Sequence, residues 1–305
     1  MNKQVIRGIL FAFSTSIISG FAVFLSKIAV SITDPIAHVA LRTLLVAIVL
    51  TILMLLQGKL RSIVKLSKSE RLKLFSIGII GGSIPFLLFF IGLTYTSALT
   101  GNLIHKTLYI WVALLAIPFL SEKLNISQGF GYSIVLLSNV LLGSWQGMHL
   151  GKGELMILAA TILWAIENVV AKKTLTTVDS LTVAWGRMSI GSLVLMVFAI
   201  LAGKGPLMVS LNPMQMVALA MGSFTLLLYV LTWYKALSLA PATYVASILV
   251  LATLVTNILG WFVIVHKFPQ IEINAGILSL VGVSLIVFSG KRMRLFSRKI
   301  HAAHE

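Results

Sequence analysis

The chain contains no cysteine, which excludes disulfides, iron–sulfur clusters and thiolate zinc sites. Charge is also scarce. Only 10% of the 305 residues are charged and 58% are apolar, whereas a soluble domain carries about 25% charged residues. An ordinary soluble protein is therefore excluded. Acidic residues are rarest of all, with 8 Asp and Glu against 24 Lys and Arg, a net charge of +16. Enzyme signatures are missing too: there is no Gly-rich phosphate loop ending in Lys-Ser/Thr, no His-Glu-x-x-His and no Gly-x-Ser-x-Gly. Neither an enzyme nor an ATP-driven pump is expected, and no cofactor or metal is implied.

What the chain does have is apolar runs of about 20 residues, the length that crosses a hydrocarbon core of ~30 Å. Ten are read, over 5–30, 36–57, 72–94, 97–120, 125–144, 154–173, 180–203, 213–237, 241–265 and 271–290. Because they are continuously apolar, they suit helices and not the alternating strands of a barrel. The first run is too long for a removable signal peptide and lacks a small-residue cleavage site, so it is expected to remain as a helix.

The +16 charge follows the membrane and does not point to nucleic acid. If the N-terminus is cytoplasmic and the spans alternate, 17 of the 24 basic residues fall on the inner side, the positive-inside pattern. Both termini are then expected inside, in a cell (inner) membrane. Gly58–Lys73, basic with Leu60, Ile63, Val64 and Leu66 interleaved, predicts a short helix on the inner headgroups, outside the repeated core. Lys291–Glu305 is a basic tail, predicted to be cytoplasmic and attracted to anionic lipid.

The two halves repeat each other. Gly8, Leu10, Lys27, Asp34 and Arg42 recur as Gly153, Leu155, Lys172, Asp179 and Arg187, always 145 positions apart. The charged matches carry most of the weight, because charge is costly in a bilayer. The predicted fold is all-α, with a five-helix repeat over 1–143, an outer turn over 144–153 and a second repeat over 154–290. An odd number of spans per copy makes the repeat inverted, with a binding site between the halves. Gly78 and Gly82 have the spacing of close helix packing. Pro85 and Pro118 are expected to interrupt the third and fourth spans.

Ionisable residues deep inside a span are functional candidates. Glu167 lies about 13 residues into the sixth span, ~20 Å deep, and Lys106 about nine into the fourth, ~14 Å deep. In one reading, Lys106 attracts a carboxylate or phosphate while Glu167 attracts an amine or carries a proton. The other reading is a structural Lys–Glu bridge, or a Lys106 stem that snorkels. Asn102, His105 and Tyr109 share a face with Lys106, and Trp111 lies close by. His105 is either a proton relay or an interhelical hydrogen bonder. Trp164 and Asn168 flank Glu167. Tyr229 and Trp233, at i and i+4 on the eighth span, floor a cavity or anchor at the interface, with Tyr244 opening the ninth span. Arg42 and Arg187, each following an Asp, are expected to be matched helix-start anchors on opposite faces.

The segments Gly92–Ile104, Phe119–Gly143 and Lys235–Gly260, together with the Asp34…Arg42 turn, resemble the ten-helix EamA-type branch of the drug/metabolite transporter superfamily. The resemblance covers nearly all of residues 5–290. The acidic position Glu122 is matched in the second copy by His266, a departure from the pattern. The resemblance implies alternating access around a cavity lined by spans one, three, four, six, eight and nine, and a polar metabolite, often an amino acid moved outward. The expected partners are a small-molecule substrate and the lipid bilayer, with a coupled proton or ion and a monomeric or homodimeric state left open. An anionic substrate such as a nucleotide sugar or phosphorylated compound is the alternative within transport. A lipid-handling scaffold with no aqueous pathway is the alternative outside it.

Overall fold

The computed structural model describes residues 3–96, 98–142, 151–265 and 269–301, without the side chains of Lys27, Asn102 and a few others, including those from Gly290 on. Among the described residues there are only helices and connections, with no strand. In the first half, α1 (Lys3–Ile32) and α2 (Pro35–Leu56) are followed by a short α3 (Leu60–Val64). Then α4 (Lys68–Gly82) and α5 (Ile84–Tyr95) form the third span, α6 (Ala98–Lys106) and α7 (Leu108–Leu120) the fourth, and α8 (Ile126–Leu142) the fifth. The second half runs α9 (Lys152–Thr174), α10 (Ser180–Leu201), a short α11 (Gly205–Val209) and α12 (Pro213–Leu239). Its ninth span joins α13 (Ala242–Leu249), α14 (Ala252–Gly260) and a π-helical turn (Trp261–Val265), and α15 (Gln270–His301) closes the chain. Among the described residues, nine segments are long and apolar enough to cross a membrane, and α8, at 17 residues, is a shorter apolar helix. The proposed outer turn at 144–150, His266, and the last four residues of the basic tail lie outside the described residues.

The repeat extends to structural detail. Asp34 caps α2 by accepting from the Ile36 and Ala37 amides at 3.0 Å. Asp179 caps α10 in the same way, accepting from Leu181 at 3.1 Å and Thr182 at 3.4 Å. These contacts satisfy amides that a helix start leaves open. Both helices end at a glycine with positive φ, Gly58 at 65° and Gly203 at 71°, a conformation that costs glycine little. A five-residue helix follows each, so α3 recurs as α11. This corrects the reading of Gly58–Lys73 as outside the repeat: its charge is not repeated, but its turn and helix are. Leu60, Ile63 and Leu66 also pack against the protein core, leaving Val64 exposed.

The connections then exchange partners. The Lys204 ammonium lies 2.8 Å from Asp34, and the Lys59 ammonium 3.2 Å from Asp179. Each ion pair joins one repeat to the other.

Glycine brings α4 against α10. A Cβ on Gly82 would fall 2.2 Å from the Arg187 carbonyl oxygen, and one on Gly78 2.5 Å from the Ile190 Cβ. The third span breaks at Ser83, just before Pro85, as the proline predicts. Pro118 behaves differently. It sits inside α7, which continues to Leu120, because a proline so near the end of a helix disturbs only its last turn. The fourth span breaks instead at Thr107, beside Lys106. Leu251, 144 positions later, sits at the matching break between α13 and α14.

Candidate functional site

The helices enclose a cavity of about 420 Å³, within the ~300–1,000 Å³ range of small-molecule sites. It runs from the bundle middle, at Trp233 and Arg187, toward the end where α1 finishes and α15 begins, at Val30 and Glu272. At the opposite end α1 packs tightly, and a Cβ on Gly8 would lie 2.7 Å from that of Ala240. There Glu122 reaches across to α13, accepting from the amides of Ala242 at 2.7 Å and Thr243 at 3.0 Å. Lys172 donates to the carbonyls of Leu237 at 2.6 Å and Ala240 at 2.7 Å, where α12 ends.

Pro85 explains much of the inner wall. Lacking an N–H, it leaves the Gly81 carbonyl, four residues earlier, without its helical partner. Trp164 Nε1 takes that carbonyl at 3.0 Å and Arg187 Nη2 at 3.1 Å. A broken helix in a membrane is tolerated where such partners exist. Gly81 also lets Glu167 approach, since a Cβ there would lie 2.3 Å from the Glu167 Cγ.

Glu167 is buried, with 1% of its surface exposed. Its Oε1 accepts from the Tyr234 hydroxyl at 2.5 Å, and its Oε2 lies 4.0 Å from Arg187 Nη1. Arg187 Nη1 donates in turn to the Tyr234 oxygen at 3.3 Å. This carboxylate, guanidinium and phenol form one compensated cluster. The Lys106–Glu167 bridge considered from the sequence is not formed.

Arg42 is the second buried guanidinium of the wall, at 5% exposure. Its Nη1 donates to Ser26 Oγ at 3.2 Å, while its Nε has no partner. No described carboxylate lies within 4.0 Å of it. Its central carbon sits 5.8 Å from the Phe86 ring centroid and 5.6 Å from that of Phe90. Arg187 approaches the same Phe86 ring, also at 5.8 Å. The two arginines expected as anchors on opposite faces are therefore neighbours across one ring in one cavity. Only the aspartates act at the helix starts. The matched signal was real, but Arg42 lies eight residues past Asp34, two turns along, and cannot join the cap.

The other sequence candidates divide. His105, Trp164, Asn168, Tyr229 and Trp233 all line the main cavity with Glu167. Trp233 Nε1 donates to Asn168 Oδ1 at 2.9 Å, and its rings stack on Tyr229 at 5.7 Å. Lys106 and Tyr109 line a smaller neighbouring pocket that shares His105. The Asn102 side chain lies outside the described residues. Three charged cavity residues were missed as candidates, namely Arg42, Arg187 and Glu272. They come from the second, seventh and tenth spans, outside the set of lining helices that the resemblance implies. Glu272 opens α15 and accepts from Trp261 Nε1 at 2.9 Å.

Among the described residues, nine apolar spans, with one shorter apolar helix, and an internal cavity lined by charged residues define a polytopic membrane protein. The chain belongs to the EamA-like transporter family, whose profile matches residues 6–144 and again 151–288, and so to the drug/metabolite transporter superfamily. It is 27% identical over 278 residues to an uncharacterized transporter of Bacillus subtilis, covering 88% of this chain and 89% of that one. An uncharacterized transporter of Archaeoglobus fulgidus is 26% identical over 231 residues, covering 74% and 79%. A solved crystal structure superimposes with a TM-score of 0.75 over 92% of this chain and 98% of that one, at 16% identity. That similarity speaks to the fold alone.

Proposed function

We propose that this transporter moves a small polar, amino-acid-like metabolite across the cytoplasmic membrane by alternating access, in the direction of export. Its two repeats are inverted and both termini are cytoplasmic. The odd span count of each repeat, the positive-inside pattern and the exchanged ion pairs support that arrangement. With no nucleotide-binding loop in the sequence, an ion or substrate gradient drives it.

The observation that carries this reading is Arg42, a buried cation on the cavity wall with no carboxylate partner. Such a charge costs several kcal/mol unless something compensates it, and a substrate carboxylate does so by a bidentate contact. Glu272, which lines the same cavity, supplies the opposite sign for an ammonium. Glu167 and Arg187 neutralise one another, so they shape the site more than they charge it. This moves the substrate-facing pair from Lys106 and Glu167 to Arg42 and Glu272. The Phe86 and Phe90 rings hold Arg42 by cation–π contact, and its Nε stays open to an anion.

One observation favours the second reading, an anionic substrate such as a phosphorylated compound or nucleotide sugar. Glu167, the acidic group expected to meet an amine, is engaged by Tyr234 and Arg187. A thermal-shift screen of purified protein against amino acids, amines and sugar phosphates separates the two. On the first reading an amino acid stabilises the protein, by linkage. The variant Arg42→Met folds, because it breaks no ion pair, and binds that amino acid at least ~10-fold more weakly, about 1.4 kcal/mol. Stabilisation by sugar phosphates alone would establish the second reading. Undiminished amino acid binding by Arg42→Met would refute the first.

A further inference from the structure

The small pocket beside the cavity, about 50 Å³, has no role in the transport reading above. His105, Leu108 and Thr256 line both spaces, and Lys106 and Thr253 line the small one only. Lys106 is the last residue of α6, at the helix break. None of the ion pairs among the described residues includes it: these are Lys59–Asp179, Arg187–Glu167 and Lys204–Asp34. Glu272, which lines the neighbouring cavity, attracts Lys106 electrostatically but forms no ion pair with it and accepts from the Trp261 indole. Three further polar atoms of the pocket residues, His105 Nδ1, Tyr109 Oη and Thr253 Oγ1, are buried without a hydrogen-bond partner.

These groups share a chemical bias. An ammonium carries three donors and no acceptor, and a hydroxyl and an imidazole can both donate. Leaving three polar groups unpartnered, beside a cation whose counter-charge Glu272 is not in ion-pair contact with it, is costly in a low-dielectric interior. A single acceptor-only ligand matches all of them. One water needs about 10–15 Å³ of such space, so the pocket admits one small anion or one carboxylate head, and no whole metabolite.

We propose that this pocket is a small-anion site, with Lys106 supplying the charge and Thr253 and His105 donating. It takes a monovalent group, either a free halide or one carboxylate reaching in from the main cavity past His105. The site is separate from Arg42, and the two stand or fall by different variants.

The test uses purified full-length protein in gluconate buffer at constant ionic strength, titrated with chloride, bromide or acetate. Thermal midpoint and tryptophan fluorescence are the readouts, because the Trp164 ring lies 4.9 Å from that of His105. The expected result is a saturable response that Lys106→Met abolishes, Thr253→Val weakens several-fold, and the surface control Lys68→Gln leaves intact. A halide response identifies a free anion, and a response to acetate alone identifies a substrate carboxylate. If Lys106→Met does not fold, Lys106→Arg keeps the charge and should retain binding while Thr253→Val loses it. No saturable response to any of the three anions, or the same response in Lys106→Met or Thr253→Val, overturns the proposal.

Discussion

At the scale of single residues, a charge placed within a span was legible in the sequence and its direction was not. Counting 1.5 Å per residue places Glu167 deep in its span, and the structure finds it buried. The count says nothing about which neighbour its side chain meets, because that depends on how the helices turn toward one another. Lys106 was the obvious partner by depth, yet Arg187 on α10 is the one beside it. Arg187 and Arg42 were set aside because each followed an aspartate. Their position inside a span was the better signal, since charge there needs a reason. The compensated cluster makes a specific prediction. Glu167→Gln leaves the Arg187 guanidinium buried without its counter-charge, and Arg187→Met strands the carboxylate. Each single change is expected to cost about 3–5 kcal/mol. The double variant should cost less than the two together by about 1–3 kcal/mol. Unfolding midpoints of the four proteins in one detergent give the coupling. Strictly additive losses would mean that the 4.0 Å approach contributes nothing.

At the scale of elements, the spans themselves were plain, because length and continuous apolarity are enough to mark them. Their interruptions were half visible. Pro85 announces its break chemically, whereas nothing in the residues around Thr107 or Leu251 does. At the second site four amides, those of Val250, Leu251, Thr253 and Leu254, bond three residues back instead of four. This tightening is typical of a strained or hinging stretch. Only the repeat itself, which relates the two breaks, marks them as equivalent. The helix starts are capped by the aspartates and not by the arginines expected there, and Asp34 makes that testable by pH. Partial burial opposes its ionisation, but the Lys204 ammonium and the amides of Ala37 and Ile36 outweigh this and hold its carboxyl below the ordinary value of 3.8. A depressed folded-state pKa stabilises fully above the unfolded pKa and is lost as the pH falls through the folded one. Asp34→Asn keeps a capping oxygen and removes only the charge. Wild type should therefore exceed the variant by ~1 kcal/mol near neutral pH, and the gap should close as the pH drops below about 4. Thermal unfolding across that range checks this, and a gap independent of pH would show that the charge is not its source.

At the scale of the whole molecule, the repeat was legible as spacing long before it had a geometry. Asp34, Lys59, Asp179 and Lys204 hold both copies of one pattern, yet each aspartate pairs with the other copy's lysine. Such an exchange is what a two-fold relation between the halves produces. If the relation lies in the membrane plane, as inverted repeats require, the two ion pairs sit on opposite faces, Lys59 inside and Lys204 outside. The absence of cysteine turns this into a clean experiment, since a single introduced thiol is the only one present. Lys59→Cys and Lys204→Cys each remove one partly exposed ion pair, a loss of ~0–1 kcal/mol that leaves the fold intact. With intact expressing cells and a membrane-impermeant maleimide, Lys204→Cys should label at once and Lys59→Cys only after the membrane is opened. Labelling of both from one side would refute the inverted arrangement. Labelling of Lys59→Cys alone from outside would keep the inversion but turn the molecule over. The cavity, which runs toward the end bearing Lys204 in the proposed arrangement, would then face the cytoplasm instead of the exterior.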